Sequence, residues 1–161
     1  MTKALLDTNI IIHRESNRVS NQDIGILFKW LDRLNYQKCV HRISINEIQN
    51  YQNKNIVDTF NVKVDSYEIL ETNAPLSSDV KHVSDKIDVN SNDLIDTELL
   101  NEIFNDRTDI LISEDKKMHV KADLLNIADR VYTINSFLEH IYSEYPELVD
   151  YKILSLEKVR M

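Results

Sequence analysis

Only one glycine and two prolines occur in 161 residues. That scarcity excludes a turn-rich all-β protein and a low-complexity disordered chain alike. A single cysteine, Cys39, can form neither an internal disulfide nor a cysteine-rich zinc site. It sits beside Val40 in a short apolar run and reads as a buried structural thiol. Long hydrophobic runs are also missing. The first, Ala4-Leu5-Leu6, is broken at once by Asp7, far short of a signal-peptide core, and nothing approaches a membrane-spanning length. The expectation is a cytoplasmic protein with no membrane partner. Positive charge is in deficit, with 19 Lys and Arg against 27 Asp and Glu and a formal net charge of -8. A protein that grips nucleic acid mainly through phosphate contacts should be basic. Either nucleic acid is not the partner, or much of the negative charge belongs to a site whose divalent cations offset it.

The length suits one domain with a proper core. Short apolar segments alternate with helical periodicity along the chain. Lys3 to Leu6 reads as a buried strand ending at Asp7. Ser20-Asn21-Gln22-Asp23 looks like a helix cap, and Ile24, Leu27, Phe28, Leu31 and Leu34 follow at helical spacing. Cys39 to Ile43 reads as a second strand, with a helix opening at Ser44-Ile45-Asn46-Glu47 and running to about Asn53 or beyond. A strand near Tyr67–Leu70 and a short helix over Ser78–Lys86 come next. A strong helix then spans Ser91 to about Phe104. Asp109 to Ser113 is the clearest strand, and a helix with Met118, Ala122 and Leu125 follows it. Arg130 to Ile134 is another strand, and Asn135-Ser136 caps a last helix. This alternation predicts an α/β fold: three layers, α/β/α, around a mainly parallel sheet. Residues 1–149 form the predicted domain, and 150–161 a tail that is an edge strand or a junction.

In a parallel α/β sheet, ligands bind beyond the carboxyl ends of the strands. Asp7 ends the first strand, and Asp115 lies just past the 110–112 strand. Glu47 lies on the helix after the second strand. Asp93 and Asp96 share one face at the start of the helix before the 110–112 strand. Carboxylates gathered in one cleft repel one another unless cations intervene. Oxygen-only ligands point to Mg²⁺ or Mn²⁺ rather than zinc.

Asp7-Thr8-Asn9 after a hydrophobic strand resembles the opening motif of PIN-domain nucleases. Glu47 matches that family's second acid. Asn92-Asp93-Leu94-Ile95-Asp96 with Leu99-Leu100 resembles its third motif. Ile110-Leu111-Ile112-Ser113-Glu114-Asp115 resembles its apolar strand, hydroxyl residue and final Asp, and Val131-Tyr132-Thr133-Ile134 with Phe137-Leu138 its last strand and helix. The resemblance covers residues 3 to about 142. It rests on the ordered set of motifs, since none is specific alone. It implies a PIN-like fold and a metal-dependent endoribonuclease in which Asp7, Glu47, Asp96 and Asp115 hold Mg²⁺ or Mn²⁺. Family spacing favours Asp96 over Asp93 as the third acid, with Asp93 assisting or capping the helix. Asn9 and Ser113 would orient ligands or water as supporting groups, and Arg14 and Lys116 would contact substrate phosphates. RNA is the implied substrate. An antitoxin, a fused or associated acetyltransferase-like domain, and a second copy in a homodimer are the implied partners.

Each residue also has a plainer role. Ser44-x-x-Glu47 is a capping box in its own right, and Asp93 caps a helix after Asn90 or Ser91. Glu114 reads as solvated. Tyr51, Tyr67 and Tyr132 are of the type that stacks on bases, although half-buried core tyrosines are commoner. His13, His41 and His119 make no ligand pattern. A haloacid-dehalogenase phosphatase would need an Asp where Asn9 stands, and no set of residues supports a receiver domain. The alternative of another class is a PIN fold kept as a protein-interaction or RNA-binding module.

Overall fold

The computed structural model describes residues 1–16 and 22–148. The cap expected at Ser20-Asn21 and the tail from residue 150 lie outside the described residues. The chain runs β1 (Lys3–Leu6), α1 (Thr8–Glu15), α2 (Gln22–Arg33), β2 (Gln37–His41), α3 (Arg42–Gln49), α4 (Lys54–Lys63), β3 (Glu68–Leu70), α5 (Ser78–Ile87), α6 (Ser91–Phe104), β4 (Ile110–Ile112), α7 (Lys116–Leu124), β5 (Val131–Tyr132) and α8 (Ile134–Glu144). Every strand pair is parallel, in the order β3-β2-β1-β4-β5. This is the expected α/β architecture.

The strands are short and apolar because both sheet faces are covered. Side chains alternate across β1. Ala4 and Leu6 enter one core with residues of α1, α2, α3, α4 and α8. Leu5 enters the other, with residues of α5, α6 and α7. The same alternation splits Val40 from Cys39 and Ile112 from Leu111. Cys39 is fully buried, and burial first, then Glu68, pushes its thiol up to about 12, so it is inert. Burying one Leu or Ile side chain contributes ~1.5–3 kcal/mol, so two such layers hold the sheet firmly.

A chain with almost no glycine still has to stop its helices. Asn35, Asp106 and Asn126, at φ 59°, 59° and 58°, take the left-handed position after α2, α6 and α7. The next residue then bonds back across the last turn: Tyr36 N–H to Leu31 O, Arg107 N–H to Glu102 O, and Ile127 N–H to Ala122 O.

Several boundaries differ from the expectation. Strand β2 ends at His41 because the His41 Nδ1 accepts the Ile43 N–H at 3.1 Å and starts α3 there. Ser44 is therefore inside the helix, and no Ser44–Glu47 capping box forms. That helix stops at Gln49, and Asn53 caps a separate α4. The cap of α8 is Thr133, paired reciprocally with Ser136, rather than Asn135-Ser136.

Candidate active site

From β1 the chain steps outward through β2 and β3, then returns to the opposite side of β1 for β4 and β5. The helices leaving β1 and β4 pack on opposite faces of the sheet. The carboxyl ends of these two neighbouring strands are therefore the switch point of the sheet, where sheets of this kind bind their ligands. Asp7 and Asp115 stand at its two sides, and each caps the helix that departs. An Asp7 carboxyl oxygen accepts the Thr8 N–H at 2.7 Å, and an Asp115 oxygen accepts the Lys117 N–H at 2.8 Å. Helix N-termini carry partial positive charge, which favours acids at these positions.

Ser113 joins the two ends. Its hydroxyl donates to Asp7 Oδ2 at 2.6 Å and accepts the Asp115 N–H at 3.1 Å, and it is fully buried. Glu47 reaches the same place from α3: the Thr8 hydroxyl donates to Glu47 Oε1 at 2.6 Å. Asp96, in the second turn of α6, brings its carboxyl within hydrogen-bonding reach of Asp115. Four acids from β1, α3, α6 and the end of β4 thus converge. The electrostatics record the crowding. Burial, then the Asp7 and Asp115 charges, pushes the Asp96 carboxyl up to about 8. Asp7 is also raised, by burial above all, against the pull of its bonds from Ser113 and Thr8, with Asp115 and Glu47 adding to the rise.

Asp93 has a different place. It forms a reciprocal capping box with Asn90, its carboxylate also accepts the Val89 N–H at 2.9 Å, and Lys117 Nζ lies 3.1 Å away. The backbone bond from Val89 leads the causes that hold its carboxyl below the ordinary range. Asn9 is exposed and lines a cavity with α4 residues. Arg14 lies with its guanidinium 5.0 Å from the Phe28 ring centroid, and Lys116 is exposed at the first position of α7. His119 is bonded to the Ser113 carbonyl at 2.7 Å. Glu114, expected to be solvated, is exposed but accepts the Ile134 N–H at 2.7 Å.

Two residues of the neighbourhood escaped the sequence reading. Thr8 sat inside the Asp7-Thr8-Asn9 motif, but its bond to Glu47 spans 39 residues. Lys121 is 1% exposed, bonded to Asp88, Thr97 and the Asp93 carbonyl, and its charge pulls the Asp96 carboxyl downward against the larger effects that raise it. Its one signal was its spacing of four from Lys117 on the same helix. Among the described residues, no group of three or more His, Cys, Asp or Glu side chains is arranged to hold a metal ion as it stands. No protein-family model matches the chain, and no curated protein matches it in sequence.

Proposed function

We propose that this chain is a PIN-type, metal-dependent endoribonuclease that hydrolyses RNA phosphodiester bonds at Asp7, Glu47, Asp96 and Asp115. The convergence of these four acids at the turning point of the sheet carries the reading. Carboxyls brought this close raise one another's pKa, and the arrangement is costly unless a cation shares the site. A donor set of carboxylate oxygens, without His or Cys, suits Mg²⁺ or Mn²⁺. Such ions, when bound, supply an activated water and neutralise charge on the leaving oxygen.

The protein's own groups do the rest. Asp7 and Asp115 are fixed by helix caps and by the Ser113 bridge, so two ligands are held in place beforehand. Thr8 orients Glu47 toward them. Asp96 holds a proton against Asp115 near neutral pH and must release it as a cation enters. A net charge of -8 favours a second reading, an interaction module that has kept the fold without the chemistry.

The test is Mn²⁺ binding by calorimetry on wild type and on Asp96→Asn, followed by RNA cleavage. Wild type should bind Mn²⁺, with loss or weakening in Asp96→Asn. Asp7→Asn and Asp115→Asn should each abolish cleavage while the fold persists. Wild-type cutting rates in Asp7→Asn would sink the assignment, and a wild type without Mn²⁺ binding, even with RNA present, would favour the interaction module.

A further inference from the structure

A cavity of about 530 Å³ opens between α1 and α4. That is within the ~300–1,000 Å³ typical of small-molecule sites. It shares α1 with the acid cluster, since Asp7 caps this helix and Asn9 lines the cavity. It also shares the segment that leaves α3, since Glu47 faces the acids and Tyr51, four residues on, lines the cavity. The lining is polar. Asn53 uses its carbonyl to cap α4, accepting the Asn55 and Ile56 N–H groups, so its amide donors remain for a ligand. Asn9 and Asn55 add two exposed amides, and Tyr51 is 40% exposed.

At the far end of α1 stands Glu15, another lining residue. It is 6% exposed, and its Oε2 is 3.0 Å from Lys63 Nζ. Its Oε1 is buried with no hydrogen-bond partner. A buried carboxyl oxygen left unsatisfied is costly, and Glu15, which carries it, is among the residues that line this cavity.

We propose that this cavity is a base-recognition subsite that takes a guanine of the RNA substrate, with Glu15 as its specificity-determining residue. This rests on the ribonuclease reading. Glu15 is an acceptor only, so its match is a base edge rich in donors. Guanine presents N1–H and the 2-amino group side by side. Adenine offers one amino group flanked by acceptors, and uracil one N–H between carbonyls. The amides of Asn9, Asn53 and Asn55 both donate and accept, which suits O6 and N7 on the other edge. Tyr51 supplies a ring for stacking, as in recognition of unpaired RNA bases. Glu15 lies about 12 Å along α1 from Asp7 at 1.5 Å per residue, so the base belongs to a nucleotide flanking the scissile phosphate.

The experiment has two arms on the full chain. Binding of GMP, IMP and AMP is measured by calorimetry on wild type, Glu15→Gln and Tyr51→Ala, and cut ends from a randomised single-stranded RNA are sequenced. GMP should bind about tenfold tighter than AMP, with IMP, which lacks the 2-amino group, between them. Glu15→Gln should erase that ranking, Tyr51→Ala should weaken all three nucleotides alike, and guanine should recur at one fixed position near the cut. Equal affinity for the three nucleotides, or a ranking that survives in a folded Glu15→Gln, overturns the proposal. Should Glu15→Gln fail to fold, the wild-type ranking and Tyr51→Ala decide. Cleavage with no guanine preference sinks the subsite and leaves the nuclease reading intact. Guanine-selective, Glu15-dependent binding without any cleavage sinks the nuclease reading and leaves the subsite.

Discussion

Asp96 concentrates the electrostatic cost of the site. Its native carboxyl titrates at about 8 rather than 3.8, chiefly because it is buried and then because Asp7 and Asp115 face it. Between those two values the folded protein holds a proton that the unfolded chain has released. Stability therefore falls as pH rises through that window, and the full cost is present above about 8. Asp96→Asn carries no such proton. Without added metal, its stability should fall less than that of wild type across this range, and it should exceed wild type at the alkaline end. Urea denaturation at a series of pH values measures this, and parallel pH profiles would refute it. Asp7, Asp96 and Asp115 were legible in the sequence because acids beside apolar strands or at fixed spacing stand out. Lys121 and Thr8 were not, because a buried lysine or a threonine hydroxyl acquires its meaning from partners 24 to 39 residues away.

Helix boundaries separate what is local from what is not. The start of α6 was readable because Asn90 and Asp93 cap it from within four residues. Asn90→Ala should cost ~0.5–2 kcal/mol, the usual effect of losing an N-cap, readable as a lower denaturation midpoint. Asp93→Asn should leave Mn²⁺ affinity unchanged, since its carboxylate serves the helix terminus and Lys117; a marked loss would return Asp93 to the ligand set. The start of α3 was not readable. Its cap is His41, a residue without strong capping preference, whose Nε2 lies 3.0 Å from Glu102 of α6. That partner, itself bonded to the Ala74 N–H and paired with Arg107, leaves Nδ1 to accept the Ile43 N–H. Burial works against the Glu102 charge, but these donors hold its carboxyl below the ordinary range. A bond across 61 residues thus decides where a local helix begins, and it turns Glu47 away from a capping role and toward Thr8.

At the scale of the molecule, the acids are the same crowd that a cation would relieve. Mn²⁺ at a hundred times its Kd should stabilise the fold by ~2.7 kcal/mol. For a chain of this size that raises Tm by about 5–10 °C. Differential scanning calorimetry with and without Mn²⁺ measures the shift, and it should vanish in Asp7→Asn. Among the described residues, no helix is long and apolar enough to cross a membrane. The alternation of strands and amphipathic helices, set by hydrophobic period, determined the α/β class and the parallel sheet, because each element had an apolar face that required a neighbour. The same pattern located the acids at strand ends. Tertiary structure alone decided that β4 lies against β1 rather than outside β3, and so that Asp7 and Asp115 are bridged by Ser113 at adjacent strand ends. It alone decided that Glu47 meets Thr8 rather than the Ser44 backbone, and that Glu15 is buried with an oxygen unmet. The physical reason is common to these cases: burial and charge proximity depend on distances in space, and no spacing along a single chain encodes them.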